Sequence, residues 1–131
     1  MQINFVLSLF KLAKKKGINT ALDTSGQPFT RQGDFFDKFK ELMKYTDTVL
    51  LDLKHINEEK HIKLTGKTNK NILDMFKYLS KIKQPVWARY VLVPGHTDSD
   101  VDLKEASKFL GKLRNIQRID VLPYHTMGIA K

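Results

Sequence analysis

Asp52 and Lys54 stand two residues apart at the end of Thr48-Val49-Leu50-Leu51-Asp52-Leu53-Lys54. The residues before them are apolar or β-branched and include no turn former, as a buried parallel strand requires. Side chains at i and i+2 of a strand share a face, so Leu50, Asp52 and Lys54 point one way. A carboxylate and an ammonium about 7 Å apart there can simply close a core strand as an ion pair. They can also form part of a site at the carboxyl ends of parallel strands, where α/β folds build their sites. Three further segments offer partners. Asp23 ends the run Ile18–Asp23, Arg89 lies inside Val86–Val93, and His125 follows Arg118–Leu122 through Pro123-Tyr124. Each has a plain reading: Asp23 can start a turn, and a lone histidine is by default a satisfied surface residue. Arg89 is harder to dismiss, because a buried guanidinium needs partners. Together the five suit a nucleoside-like ligand carrying both charge signs. Lys54 and Arg89 would donate to a carboxylate or phosphate. Asp23 and Asp52 would accept from ribose hydroxyls or an amine, or hold a hard cation through oxygen. His125 would hydrogen-bond or stack on a base. The sequence holds no Gly-rich phosphate loop, Ser-His-Asp set or HExxH, which disfavours a hydrolase or a nucleoside-triphosphate enzyme.

The elements that must position these residues follow from periodicity. Ile3, Val6, Leu9, Phe10 and Ala13 mark a helix over 3–16 that Gly17 stops. Phe36, Phe39 and Met43 mark a second over 34–45. Asn57-Glu58-Glu59 opens a short helical segment that breaks at Gly66. Thr68 or Asn69 can cap the next helix, whose stripe Ile72, Met75, Phe76, Leu79 and Ile82 is core packing. Asp98 or Ser99 can cap the last, through Leu113. With strands over 18–23, 48–54, 86–93 and 118–122, the chain alternates helix and strand. The fold class is α/β: four parallel strands with right-handed crossovers. All four strand exits then lie on one edge. Strand parity puts His125 with Ile119 and Val121, and Arg89 with Trp87, Val91 and Val93.

Length and composition fit one soluble domain of 131 residues. No apolar run is long enough to span a bilayer and no signal-peptide pattern opens the chain, so the expected compartment is the cytoplasm and no membrane partner is expected. Cysteine is absent, which removes disulfides, thiolate metal sites and a cysteine nucleophile. The net charge of +9 comes from lysines spread along helices, with Lys14-Lys15-Lys16 just before Gly17, where cations favour the helix dipole. A solvated basic face explains it best, attraction to an acidic protein comes next, and nucleic acid last, since no aromatic-basic interleaving is present.

Five segments, Leu22-Asp23-Thr24-Ser25-Gly26, Leu51-Asp52-Leu53-Lys54-His55, Lys63-Leu64-Thr65-Gly66, Trp87 to Gly95 and Val121 to Gly128, resemble in order and spacing the pyruvate formate-lyase activating enzymes of the radical S-adenosylmethionine superfamily. The resemblance implies a partial (β/α)6 barrel of the TIM type, a [4Fe–4S] cluster, and S-adenosylmethionine as the source of a 5′-deoxyadenosyl radical. That radical takes hydrogen from a glycine of the partner, pyruvate formate-lyase. On matching positions it implies that Asp23, Asp52, Lys54, Arg89 and His125 surround the cofactor, with a cation beside Asp23 and Asp52. It places the approach of the partner's glycine loop at Pro94-Gly95-His96. The family's CxxxCxxC and Gly-Gly-Glu do not occur here. The chain is therefore expected to be an internal piece, strands three to six of six, that does not catalyse the reaction alone. Four strands cannot close a barrel. One sheet face, lined by Ala21, Leu50, Trp87, Val91, Val93, Ile119 and Val121, is expected to stay bare and to drive self-association. The other readings are an activator of a different glycyl-radical enzyme and a ligand- or protein-binding module without catalysis.

Overall fold

Every strand that the periodicity predicts forms, and each pairs with the next in sequence. The computed structural model describes residues 2–123. The elements are α1 (Ile3–Lys15), β1 (Ala21–Thr24), α2 (Gly33–Met43), β2 (Thr48–Asp52), α3 (Glu58–Thr65), α4 (Lys70–Lys81), β3 (Val86–Leu92), α5 (Asp100–Gly111) and β4 (Ile116–Pro123). The sheet order is β1-β2-β3-β4, all parallel. Sequential order with helical crossovers of one hand stacks the connecting helices on one face.

That face holds the core. Leu22, Val49, Leu51, Val86 and Ala88 point into it and are buried against Phe39, Leu42, Ile72, Met75, Phe76, Leu79, Ala106 and Leu110. Phe29 in the β1–α2 loop packs edge-on against Phe39, 5.2 Å between ring centres, and so ties that loop to the helix layer. The opposite face is open: Ala21 and Asp23 are exposed, and Leu50, Asp52, Trp87, Arg89 and Val91 are half-buried.

Several boundaries differ from the sequence reading, and three of them bear on the strands around the open face. β1 begins at Ala21 rather than Ile18, because Ile18 closes α1 by donating its N–H to the Ala13 carbonyl at 2.9 Å. β2 ends at Asp52, leaving Lys54 just beyond it. β4 begins at Ile116, two residues early. Two of the helix N-termini are capped where expected. Asn57 accepts from the Lys60 N–H and Ser99 from the Asp102 N–H. Gly66 ends α3 in the left-handed conformation. Asn69 stands at the α4 start, but its side chain does not cap; it donates instead to the carbonyls of His55 and Ile56.

The expected lining of the open face needs correction at β4. A register shift at Val86/Trp87 pairs Trp87 with Arg118, Arg89 with Asp120 and Val91 with Leu122. An extra residue on one strand reverses the alternation beyond it. Arg118, Asp120 and Leu122 therefore share the open face, and the Arg118 guanidinium lies 5.0 Å from the Trp87 ring centre. Ile119 and Val121 stand beside Ala88 and Tyr90 on the helix side, where they are 50% and 59% exposed.

Candidate functional site

Strand register builds the site. Asp52, Arg89 and Asp120 are lateral neighbours on β2, β3 and β4, and Asp23 is one row back on β1. Lateral neighbours in a sheet are about 5 Å apart, within reach of a long side chain. Arg89 extends across β2 and meets both aspartates. Its Nε donates to Asp52 Oδ1 at 2.6 Å. Its two terminal nitrogens donate to the two oxygens of Asp23 at 3.0 and 2.5 Å, a bidentate fork. The side chains of Arg89 and Asp52 are 22% and 20% exposed, and that of Asp23 is 60% exposed. The Arg89 pKa is held above its ordinary value, chiefly by the hydrogen bond to Asp23; partial burial opposes the shift. Next to it Arg118 Nε donates to Asp120 Oδ1 at 2.7 Å. The strand exits thus carry two guanidinium groups and three carboxylates on one open face.

The structure brings Asp23, Asp52 and Arg89 together. It does not pair Asp52 with Lys54; among the described residues the partner of Asp52 is Arg89, and Lys54 forms no ion pair. His125 lies outside the described residues. Arg118 and Asp120 escaped the sequence reading because the bulge that turns them inward carries no glycine or proline to signal it.

A second polar cluster lies beside the first, and sequence reasoning missed it. His55, directly after Lys54, is 1% exposed. The Asn57 N–H donates to its Nδ1 at 3.0 Å, so Nε2 carries the ring proton. Nε2 donates to the His96 carbonyl at 2.9 Å and lies 3.4 Å from Asp102 Oδ2. Asp102, 2% exposed, accepts from Lys60 Nζ at 2.6 Å and from Ser99 Oγ at 3.0 Å. The Lys60 hydrogen bond, ahead of the Ser99 one, holds the Asp102 carboxyl below the usual carboxylate range against the effect of burial. These bonds clamp the β2–α3 loop to the β3–α5 loop. Thr97 anchors the latter: its Oγ1 donates to the Val91 carbonyl at 2.8 Å and accepts from the Val93 N–H at 2.6 Å, and the Tyr90 hydroxyl donates to its carbonyl. The segment Pro94-Gly95-His96 is presented at the rim beside a cleft of ≈180 Å³ flanked by Lys60, Lys63 and Asp98. The signal was present: Ser99-Asp100-Val101-Asp102 fits a capping box, which places Asp102 back over the helix start. Among the described residues no group of three or more His, Cys, Asp or Glu could hold a metal ion.

Residues 1–106 match the model of the Radical SAM superfamily. The chain belongs to the Radical SAM superfamily. Within the superfamily it is similar to pyruvate formate-lyase-activating enzymes. It is 46% identical to that of Listeria monocytogenes over all 131 residues, which cover 53% of the relative. It is 49% identical to that of Streptococcus mutans over 128 residues, 49% of the relative. The chain spans about half the length of the curated relatives it matches. Among solved structures, a domain of pyruvate-formate lyase-activating enzyme from Bacteroides vulgatus superposes with a TM-score of 0.84 at 25% identity, covering 95% of this chain and 74% of that one. Streptococcus suis SuiB bound to S-adenosylmethionine gives 0.71 at 19% identity over 91% of this chain and 26% of that one, a likeness of fold. The family read from the five motifs is the family these comparisons find, and the neighbours' fold matches the parallel α/β architecture.

Proposed function

We propose that this chain supplies part of the S-adenosylmethionine site of an enzyme that activates a glycyl-radical enzyme of the pyruvate formate-lyase type. The observation that carries the reading is Arg89 joined to Asp23 and Asp52 at adjoining strand exits, in a chain so similar to such activators. The donor set fits the ligand. Arg89 uses three of its five N–H donors on the aspartates, which leaves two, and each carboxylate keeps unused lone pairs. The carboxylates suit ribose hydroxyls and the ligand's amine, while Lys54 and Arg89 suit its carboxylate. The same carboxylate oxygens are the ones on which a cation beside the ligand would rest. When bound together with a reduced [4Fe–4S] cluster, S-adenosylmethionine supplies the carbon radical that takes hydrogen from the partner's glycine. This chain has no cysteine and so does not fit the cluster; it supplies groups that hold the ligand, and alone it does not catalyse the reaction. His125 is assigned to the same ligand, the rim segment Pro94-Gly95-His96 to the partner's glycine loop, and the cytoplasm as compartment. Self-association through the sheet belongs to the same reading.

Titration of S-adenosylmethionine into the isotopically labelled chain tests this. We expect weak binding, with amide shifts concentrated at residues 23–25, 52–55 and 89–93. Arg89→Ala should weaken it about tenfold, the worth of roughly one charge-assisted hydrogen bond. Shifts scattered elsewhere, or an unchanged affinity in Arg89→Ala, would refute the assignment.

A further inference from the structure

The net charge of +9 is not spread evenly over the molecule. The four segments 12–20, 40–47, 78–85 and 108–115 carry ten lysines and arginines and only two carboxylates, Glu41 and Asp47. The remaining three-quarters of the chain carries thirteen cations and twelve carboxylates, close to neutral. Those segments are the ends of α1, α2, α4 and α5 and the loops that lead into the strands. In a parallel sheet all such loops lie on the edge opposite the strand exits. Hydrogen bonds show that they adjoin. Asp47 binds Lys14 and the Thr20 N–H, Gln84 Nε2 donates to the Thr46 carbonyl at 2.9 Å, and Asn115 Nδ2 donates to the Gln84 carbonyl at 2.8 Å. The molecule therefore has a basic pole on the far side from the Arg89 site.

Compensation of helix dipoles accounts for part of it. Four helix C-termini present about −0.5 charge each, so about −2 in all. The pole's net +8 exceeds that several-fold. Few of its cations meet a carboxylate: Lys14 meets Asp47 and Lys44 meets Glu41 within the pole, and Lys40 meets Asp37 just outside it. Lys15, Lys16, Lys81, Lys83, Lys108, Lys112 and Arg114 are exposed and form no ion pair among the described residues. Gathering like charges raises their mutual repulsion and costs stability, so the excess calls for an external counter-charge.

We infer that this pole is a docking surface for an acidic protein. Its makeup selects that partner over other polyanions. Nine of the ten cations are lysines, compact charges without the fork that recognises phosphate bidentately. No exposed aromatic ring is available there for base stacking: Tyr78 is buried, Tyr45 and Phe109 are half-buried, and Lys11 covers the Tyr45 ring. Ile18 and Ile82, 54% and 39% exposed, add apolar contact at the same pole, as a protein interface uses. A partner there leaves the strand exits free.

Binding of poly-L-glutamate, single-stranded polyuridylate and phosphatidylserine vesicles to the full chain tests the inference. We expect polyglutamate to bind at about 20 mM salt and to lose about tenfold or more in affinity at about 150 mM. Reversing four charges at the pole, with Lys16→Glu, Lys83→Glu, Lys112→Glu and Arg114→Glu, should weaken it by about tenfold or more. Reversing Lys38, Lys67, Lys70 and Lys104 to Glu gives the same net charge and should change it by less than about threefold. Equal losses in both variants would assign binding to net charge alone and overturn the inference. So would tighter binding of polyuridylate or vesicles, or no binding at low salt. If the reversed pole prevents folding, as judged by circular dichroism, Gln replaces Glu at all four positions of both sets, which keeps their net charges equal, under the same criteria. The Arg89 site takes no part in this readout, so its failure and that of the pole are separable.

Discussion

Asp102 shows how a buried carboxylate can serve the site without touching it. It receives Lys60 and Ser99 and stands near His55, whose ring accepts from the Asn57 N–H and so holds the loop that follows Lys54. Because those partners stabilise the charged form, the Asp102 pKa in the folded chain lies below its unfolded value of about 3.9. The stability it contributes is then complete above about pH 4 and disappears as pH falls through the folded value. Denaturant melts of the parent and of Asp102→Asn should differ by about 1–3 kcal/mol at neutral pH. That gap should hold down to about pH 4 and close below it. A gap independent of pH would mean that packing, not charge, makes the difference. At this scale the sequence carried Asp23, Asp52 and Arg89, since a charge at the end of an apolar strand is costly to place without a partner or a ligand. It did not carry their pairing. Asp52 and Lys54 share a face by spacing, yet Arg89 reaches Asp52 first because register sets it alongside.

The β1–α2 turn shows how tightly the elements around the site are packed. Gly26 sits there at φ +78, buried behind the Asp23 exit. A Cβ on it would come within 2.9 Å of Leu51 Cδ1 and 3.3 Å of Ile72 Cγ1. Left-handed strain and overpacking then add, and Gly26→Ala should cost about 2–4 kcal/mol in chemical denaturation. Gly66 has nearly the same φ, +77, but nothing within 4 Å of its missing Cβ. Gly66→Ala should therefore cost only about 1 kcal/mol, the strain alone. Equal costs at the two positions would show that contact with Leu51 and Ile72 is not what fixes the turn. Elements and their order were legible throughout, since helical stripes and apolar runs in this chain are separated by glycine, proline and capping residues. Parity along β4 was not. The shift that turns Arg118 and Asp120 onto the open face depends on how Trp87 and Arg118 pack across strands, and no residue within β4 marks it.

On the scale of the whole molecule, the open sheet face and the basic pole pull association in opposite directions. The face offers Leu50, Trp87, Val91 and Leu122 between its charges, and β1 and β4 are edge strands of the described sheet. Ile119 and Val121 add apolar surface on the helix side of β4. Unpaired edges and exposed apolar side chains favour contact between copies, whereas a net charge of +9 opposes it at long range. Salt screens the repulsion over about 10 Å at 0.1 M and leaves apolar contact intact. Self-association should therefore strengthen as salt rises, the reverse of polyglutamate binding at the pole. Trp87, the single tryptophan, lies on the open face and reports it directly. Sedimentation at about 10 to 300 µM should show growing mass, with Trp87 emission moving to shorter wavelength as the ring is covered. Val91→Glu, which puts an unpaired charge into that face, should reverse both changes. A chain that stays monomeric at high salt with constant Trp87 emission would show that Arg118 and Asp120, folded onto the face by the β4 bulge, make it polar enough to stay in water.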